Sequence, residues 1–120
     1  MIPTENEEQA ALIEWAYYAS NNYPELKMLY AIPNGGYRPP RTAAMLQRTG
    51  VKPGVPDLCL PVPKGKYGAL FIEMKRTHGG AVSAHQEIWL RALSKAGNKA
   101  VVCRGWESAR DEILSYLGVV

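Results

Sequence analysis

Apolar positions recur at Leu12, Ile13, Ala16 and Ala19, the three-and-four spacing of an amphipathic helix. Thr4, with Glu7 three residues on, has the pattern of a capping box, so the helix begins beside Thr4 and runs to about Asn21, where Asn22, Tyr23 and Pro24 stop it. Lys27–Ile32 (KMLYAI) reads as a first strand, broken by Pro33-Asn34-Gly35-Gly36. Thr42–Thr49 fits a short helix closed by Gly50. Asp57–Val62 and Ala69–Lys75 read as two strands joined through Lys64-Gly65-Lys66, and the apolar run before Glu73 suggests a strand covered on both faces. Ser83 caps a helix over Ala84–Ala96, which Gly97 ends. Lys99–Arg104 is a fourth strand, and Trp106–Leu117 a last helix with Ala109, Ile113 and Leu117 in register. The order α-β-(α)-β-β-α-β-α, with a hairpin inside it, predicts an α/β domain: a mixed sheet of about four strands flanked by helices.

Length agrees with one domain over residues 1–120, large enough to fold around its own core. The net charge is +3, but it is unevenly spread. Residues 1–25 hold five acids and no base. Residues 26–76 hold nine bases against Asp57 and Glu73. A basic middle segment suits a polyanionic partner. Cys59 and Cys103 lie in apolar runs and read as buried thiols, too few for a disulfide scaffold and not at zinc spacing from His78 or His85. No apolar run approaches ~18 residues and the N-terminus is acidic, so no membrane span or secretory leader is expected.

The chemistry concentrates at Pro56-Asp57 and, sixteen residues on, at Glu73-Met74-Lys75. Side chains alternate along a strand, so Glu73 and Lys75 share a face roughly 7 Å apart, while Met74 points into the opposite layer. Asp57 opens the partner strand of the hairpin and can lie beside Glu73. Two adjacent carboxylates repel unless a cation lies between them. Mg²⁺ or Mn²⁺ suits such oxygen donors, and phosphodiester hydrolysis needs that ion. Lys75 is placed to position water or stabilise the transition state. The competing reading is a Glu-x-Lys pair on a solvated strand face. The apolar run before Glu73 and the second acid on the partner strand count against it.

Gly54-Val55-Pro56-Asp57-Leu58, then Phe71-Ile72-Glu73-Met74-Lys75, then Ser83-x-x-Gln86-x-x-Trp89, resembles the VRR-NUC family of the PD-(D/E)XK nuclease superfamily, over nearly the whole chain. The resemblance implies a restriction-endonuclease-like fold, with Asp57 and Glu73 as metal ligands, the Met74 backbone carbonyl as a further ligand, and Lys75 as the catalytic lysine. It implies a functional glutamine at Gln86, a residue that a capping box with Ser83 also explains. It implies a glutamate in the first helix. On a helical wheel Glu5 and Gln9 fall on the apolar face, Glu8 on its rim, and Glu7 and Glu14 point away. Glu5 is therefore the expected ligand and Glu8 the fallback; a bare preference of Glu5 for the helix N-terminus is the alternative.

Stand-alone members of that family imply a DNA endonuclease selective for branched DNA such as Holliday junctions, at work in the cytoplasm of a bacterial or phage-infected cell. Arg38, Arg41, Arg48, Lys52 and Arg76 are candidate phosphate grips, although solvated surface charge explains each as well. Asn34-Gly35 begins a loop whose glycines permit close approach to DNA. A homodimer would supply two sites for two strands, and tyrosines at 17, 18, 23, 30 and 37 offer interface surface. Trp89 and Trp106 read as core residues. The rival functions are a catalytically inactive DNA-binding module, a nuclease for RNA, and a protein-interaction subunit.

Overall fold

A computed structural model of the chain describes residues 1–33 and 37–119. Its elements, in chain order, are α1 (Glu5–Ala19), a 3-10 helix (Pro24–Met28), β1 (Tyr30–Ala31), α2 (Pro40–Arg48), β2 (Leu58–Leu60), β3 (Leu70–Lys75), α3 (Ala84–Lys95), β4 (Lys99–Arg104) and α4 (Trp106–Tyr116). They form one four-stranded sheet in the order β1-β2-β3-β4. The β1–β2 and β2–β3 pairs are antiparallel and β3–β4 is parallel, with α3 as the crossover. This is the mixed, helix-flanked sheet that the sequence pattern predicts.

The first strand is the main departure. Lys27 and Met28 belong to the 3-10 turn, and only Tyr30 and Ala31 pair with β2. Pro24 at the start of that turn fixes its backbone and Leu26 turns inward to be 3% exposed, so the apolar residues there are spent on a helical turn, not an extended run. The other boundaries agree or move by one or two residues. Pro61 ends β2 early, and α2 starts at Pro40 because proline is at ease in a first turn.

Alternation along β3 divides the molecule. Leu70, Ile72 and Met74 enter a core shared with Leu12 of α1, Leu58 and Leu60 of β2, and Ala109 and Ile113 of α4. Full burial of a side chain of this size contributes about 1.5–3 kcal/mol. Trp106 packs against this core; Trp89 is half-buried outside it. Phe71, Glu73 and Lys75 face the other way, where Gln86 at the start of α3 bonds Glu73. Cys59 and Cys103 are free and buried. Among the described residues no helix is long and apolar enough to cross a membrane.

The inward face of α1 differs from the wheel in two respects. Glu8, Leu12 and Ala16 are its buried residues, and Ile13 is on the outside. Glu8 accepts the Trp106 N–H at 3.0 Å. Gly105, the residue before α4, has no side chain to cap it, so the Glu8 carboxylate does so from another helix and meets its own need for a partner.

Candidate active site

The antiparallel register sets Leu58 opposite Ile72, and one step further sets Asp57 opposite Glu73. Asp57 Oδ2 accepts the Met74 N–H at 2.7 Å, which locks the carboxylate against β3 just beyond the last paired residues. Glu73 is 2% exposed. Burial, and after it the hydrogen bond and negative charge of Asp57, push the Glu73 carboxyl up to about 8; Lys75 pulls it down and Glu5 adds to the rise.

Lys75 is 5% exposed, with Nζ 3.9 Å from Oε2 of both Glu73 and Glu5. Those separations are too long for hydrogen bonds. No hydrogen bond among the described residues takes up its N–H donors. Gln86 serves two elements at once. Its Oε1 accepts the Ser83 N–H at 2.9 Å, completing the capping box, and its Nε2 donates to Glu73 Oε2 at 3.1 Å. Cap and site contact coexist because the N-terminus of α3 is aimed at β3. Gly54 allows that approach: a Cβ there would lie 2.5 Å from the carbonyl carbon of His85, and its φ of +89° suits glycine.

Glu5 therefore lies at the site's edge, touching Lys75, while Glu8, one turn on, serves α4. Among the described residues no group of three or more His, Cys, Asp and Glu side chains is clustered as a metal cage. The donors present are two adjacent carboxylates and nearby main chain. Mg²⁺ is commonly held by one or two carboxylates with waters completing its octahedron, so the donor set fits a cation of that kind.

The basic residues separate into two groups. Arg76 donates to the Ile2 carbonyl at 3.2 Å and is thereby tied to the N-terminal segment; its Nε is buried with no hydrogen-bond partner among the described residues. Arg41, Arg48 and Lys52 are exposed and Arg38 is half-buried, all on α2 or its flanks. Asn34 and Gly35 lie outside the described residues. Sequence reasoning missed Arg104. Its guanidinium donates to the carbonyls of Gly79 at 2.8 Å, Gly80 at 3.0 Å and Arg76 at 3.4 Å, folding the loop after β3 over Lys75 and Glu5. The available signal was an arginine ending the strand parallel to β3, beside a Gly-Gly pair.

The family model for the VRR-NUC domain matches residues 4–107. The chain belongs to the VRR-NUC domain family. The match spans every element that positions the site, from Thr4 to the first turn of α4. A solved structure described as a VRR-NUC domain protein superposes with a TM-score of 0.81 at 25% identity, covering 100% of this chain and 93% of that one. No curated protein sequence matches. The VRR-NUC domain has a nuclease-like fold, and here its paired carboxylates stand at one end of the β2–β3 hairpin, with Lys75 and Gln86 around them.

Proposed function

We propose that this VRR-NUC domain is a metal-dependent endonuclease that hydrolyses phosphodiester bonds in DNA, with branched DNA as its preferred substrate. One observation carries the reading: Asp57 and Glu73 are held side by side in opposing strands, and Lys75 lies next to them with no hydrogen bond from its Nζ to another described residue.

Asp57, Glu73 and the Met74 carbonyl would hold Mg²⁺ or Mn²⁺, which supplies Lewis-acid activation of the phosphodiester. The chain's own groups do the rest. Asp57 is fixed by the Met74 amide, which orients its carboxylate beside Glu73. Gln86 fixes the direction of Glu73 through a hydrogen bond from a capped, rigid helix start. Lys75 offers N–H donors to the attacking water or to the charge that develops on the phosphate oxygens. Glu5 and Glu73 both lie near Nζ and hold it in place without saturating it. Burial of Glu73 and Lys75 keeps bulk water from screening these charges.

Two coordinated cuts in a branched substrate call for two sites. A two-fold dimer supplies them. The outer side of α1, with exposed Ile13, Tyr17 and Tyr18, is the surface that supports this part of the reading. Tyr17 and Tyr18 are in edge-to-face contact at 5.2 Å. Light scattering at micromolar concentration checks it: paired cuts in a four-way junction by a protein that stays monomeric would sink the dimer.

The deciding assay is cleavage of labelled linear, flapped, nicked and four-way DNA, and of matched RNA, with Mg²⁺, with Mn²⁺ and with a chelator. Cleavage of DNA that stops on chelation and on Glu73→Gln is expected. Binding without cleavage under every condition would leave an inactive DNA-binding module; cleavage of RNA alone would move the substrate.

A further inference from the structure

The Ile32 N–H bonds to the Asp57 carbonyl at 2.7 Å, so the chain between them leaves and returns beside the carboxylate pair. Residues 37–56 of that stretch contain Arg38, Arg41, Arg48 and Lys52 and no acid. At its centre α2 buries no residue. Thr42, Ala43 and Leu46 are half-buried and turn toward the protein, whereas Arg41, Met45 and Arg48 are exposed. At ~100° per residue these three fall within about 60° of one another, forming one outward stripe roughly 10 Å long. Neither arginine has an ion pair or side-chain hydrogen bond with another described residue. Met45, between them, is 52% exposed. A helix of nine residues is too short to be stable on propensity alone, and this one gains little from packing.

We infer that α2 clamps the nucleic-acid backbone, Arg41 and Arg48 gripping phosphates while Met45 inserts where base stacking is interrupted, so that the helix delivers nicked or branched DNA to the carboxylate pair. The inference rests on the nuclease reading above and deepens it. Charge selects the partner: four bases without an acid, tethered at a site suited to phosphodiesters, favour a polyphosphate backbone. The apolar side chain selects the structure. Methionine is among the residues that wedge between base steps, and unstacking costs least where a nick or branch has already broken the stack.

Fluorescence anisotropy in chelator tests this with a linear duplex, its nicked form and a four-way junction of the same arm sequences. Wild type should bind the nicked and branched forms more tightly than the linear one. Met45→Ala should lose most of that ratio while binding linear duplex as before, and Met45→Leu should keep it. The double variant Arg41→Ala/Arg48→Ala should weaken all three substrates by a common factor of about ten and lower the slope of log affinity against log salt by about 2. A wild type without preference, a Met45→Ala that retains it, or an unchanged salt slope would overturn the clamp. Cleavage by wild type and Glu73→Gln on the same substrates separates the two readings. If wild type cuts and the α2 variants bind normally, the clamp alone is wrong. If the α2 variants behave as expected and wild type never cuts, the clamp stands and the nuclease reading fails.

Discussion

The two faces of β3 carry the two halves of this molecule. Leu70, Ile72 and Met74 are buried in an apolar cluster with side chains of α1, α4 and β2. Glu73 and Lys75, between and beyond them, are nearly as buried but meet carboxylates, an amide and each other. Equal burial has opposite consequences. On the first face it removes apolar surface from water and stabilises the fold. On the second it strips hydration from charged groups, which costs stability unless a ligand returns the lost interactions. A single strand thus holds the fold together with one set of side chains and holds reactive groups in place with the other.

Breaking the charged face should give the largest effect. Asp57→Ala, Glu73→Ala and Lys75→Ala should each lower cleavage by about a hundredfold or more while circular dichroism and melting stay cooperative. The carboxylate changes should also weaken divalent-cation binding, measured by calorimetry, whereas Lys75→Ala should spare it. Wild-type cleavage by Lys75→Ala would refute the role given to that side chain. Ile72→Ala, one residue from Glu73, should show the opposite signature: a loss of about 2–5 kcal/mol by denaturant titration, with activity per folded molecule retained.

A smaller effect sharpens the contrast by reversing sign. Glu73 holds its proton up to about 8 in the folded chain. A carboxyl raised in this way contributes stability below the ordinary carboxylate range and loses it as pH climbs through about 8, because the unfolded chain releases the proton earlier. Glu73→Gln keeps the shape and removes the titration. Without metal, the variant should melt above wild type near pH 9 and lose that advantage near pH 5, in scans at about those two values. An equal difference at both pH values would mean that Glu73 titrates normally. A substitution that stabilises the protein while abolishing cleavage would place the cost of the site on this face of β3.

Much of this arrangement is legible in the sequence because it depends on alternation. A run such as Leu-Phe-Ile-Glu-Met-Lys assigns its faces by counting, and a hairpin with a known partner sets Asp57 beside Glu73 without further information. The Ser83/Gln86 cap is equally local. What was not legible depends on distant elements. Glu8 lies close to Glu5 in chain position, and only the placement of α4 tells which of them is inward and which edges the site. The clamp by Arg104 needs the return of β4 alongside β3. The Lys27–Ile32 run gave no sign that Lys27 and Met28 would belong to a proline-led 3-10 turn, not to the strand. Gly54 stood in a motif, but its reason, the backbone of His85 within 2.5 Å of any added Cβ, lies thirty-one residues away.

The smallest expected effects come from α1, which serves both faces. Glu8 caps α4 on the side of the apolar core, and Glu5 touches Lys75 at the edge of the charged one. Replacing either with glutamine preserves size and removes charge. Glu8→Gln should retain an acceptor for the Trp106 N–H but lose the attraction between a carboxylate and the start of a helix, a change of about 0.3–1 kcal/mol. For a domain of this size that is at most a few degrees in melting temperature, roughly 3–6 °C per kcal/mol, and cleavage by the folded protein should be unaltered. Glu5→Gln should do the reverse. It leaves melting unchanged within error and lowers cleavage several-fold, because Nζ of Lys75 loses one of the two carboxylates that hold it. Glu7, bonded to Thr4 on the outside of the same turn, is the control and should alter neither activity nor metal affinity. If Glu8→Gln impairs cleavage and Glu5→Gln does not, the acid that belongs to the site is the buried one, and the division of α1 between the two faces drawn here is reversed.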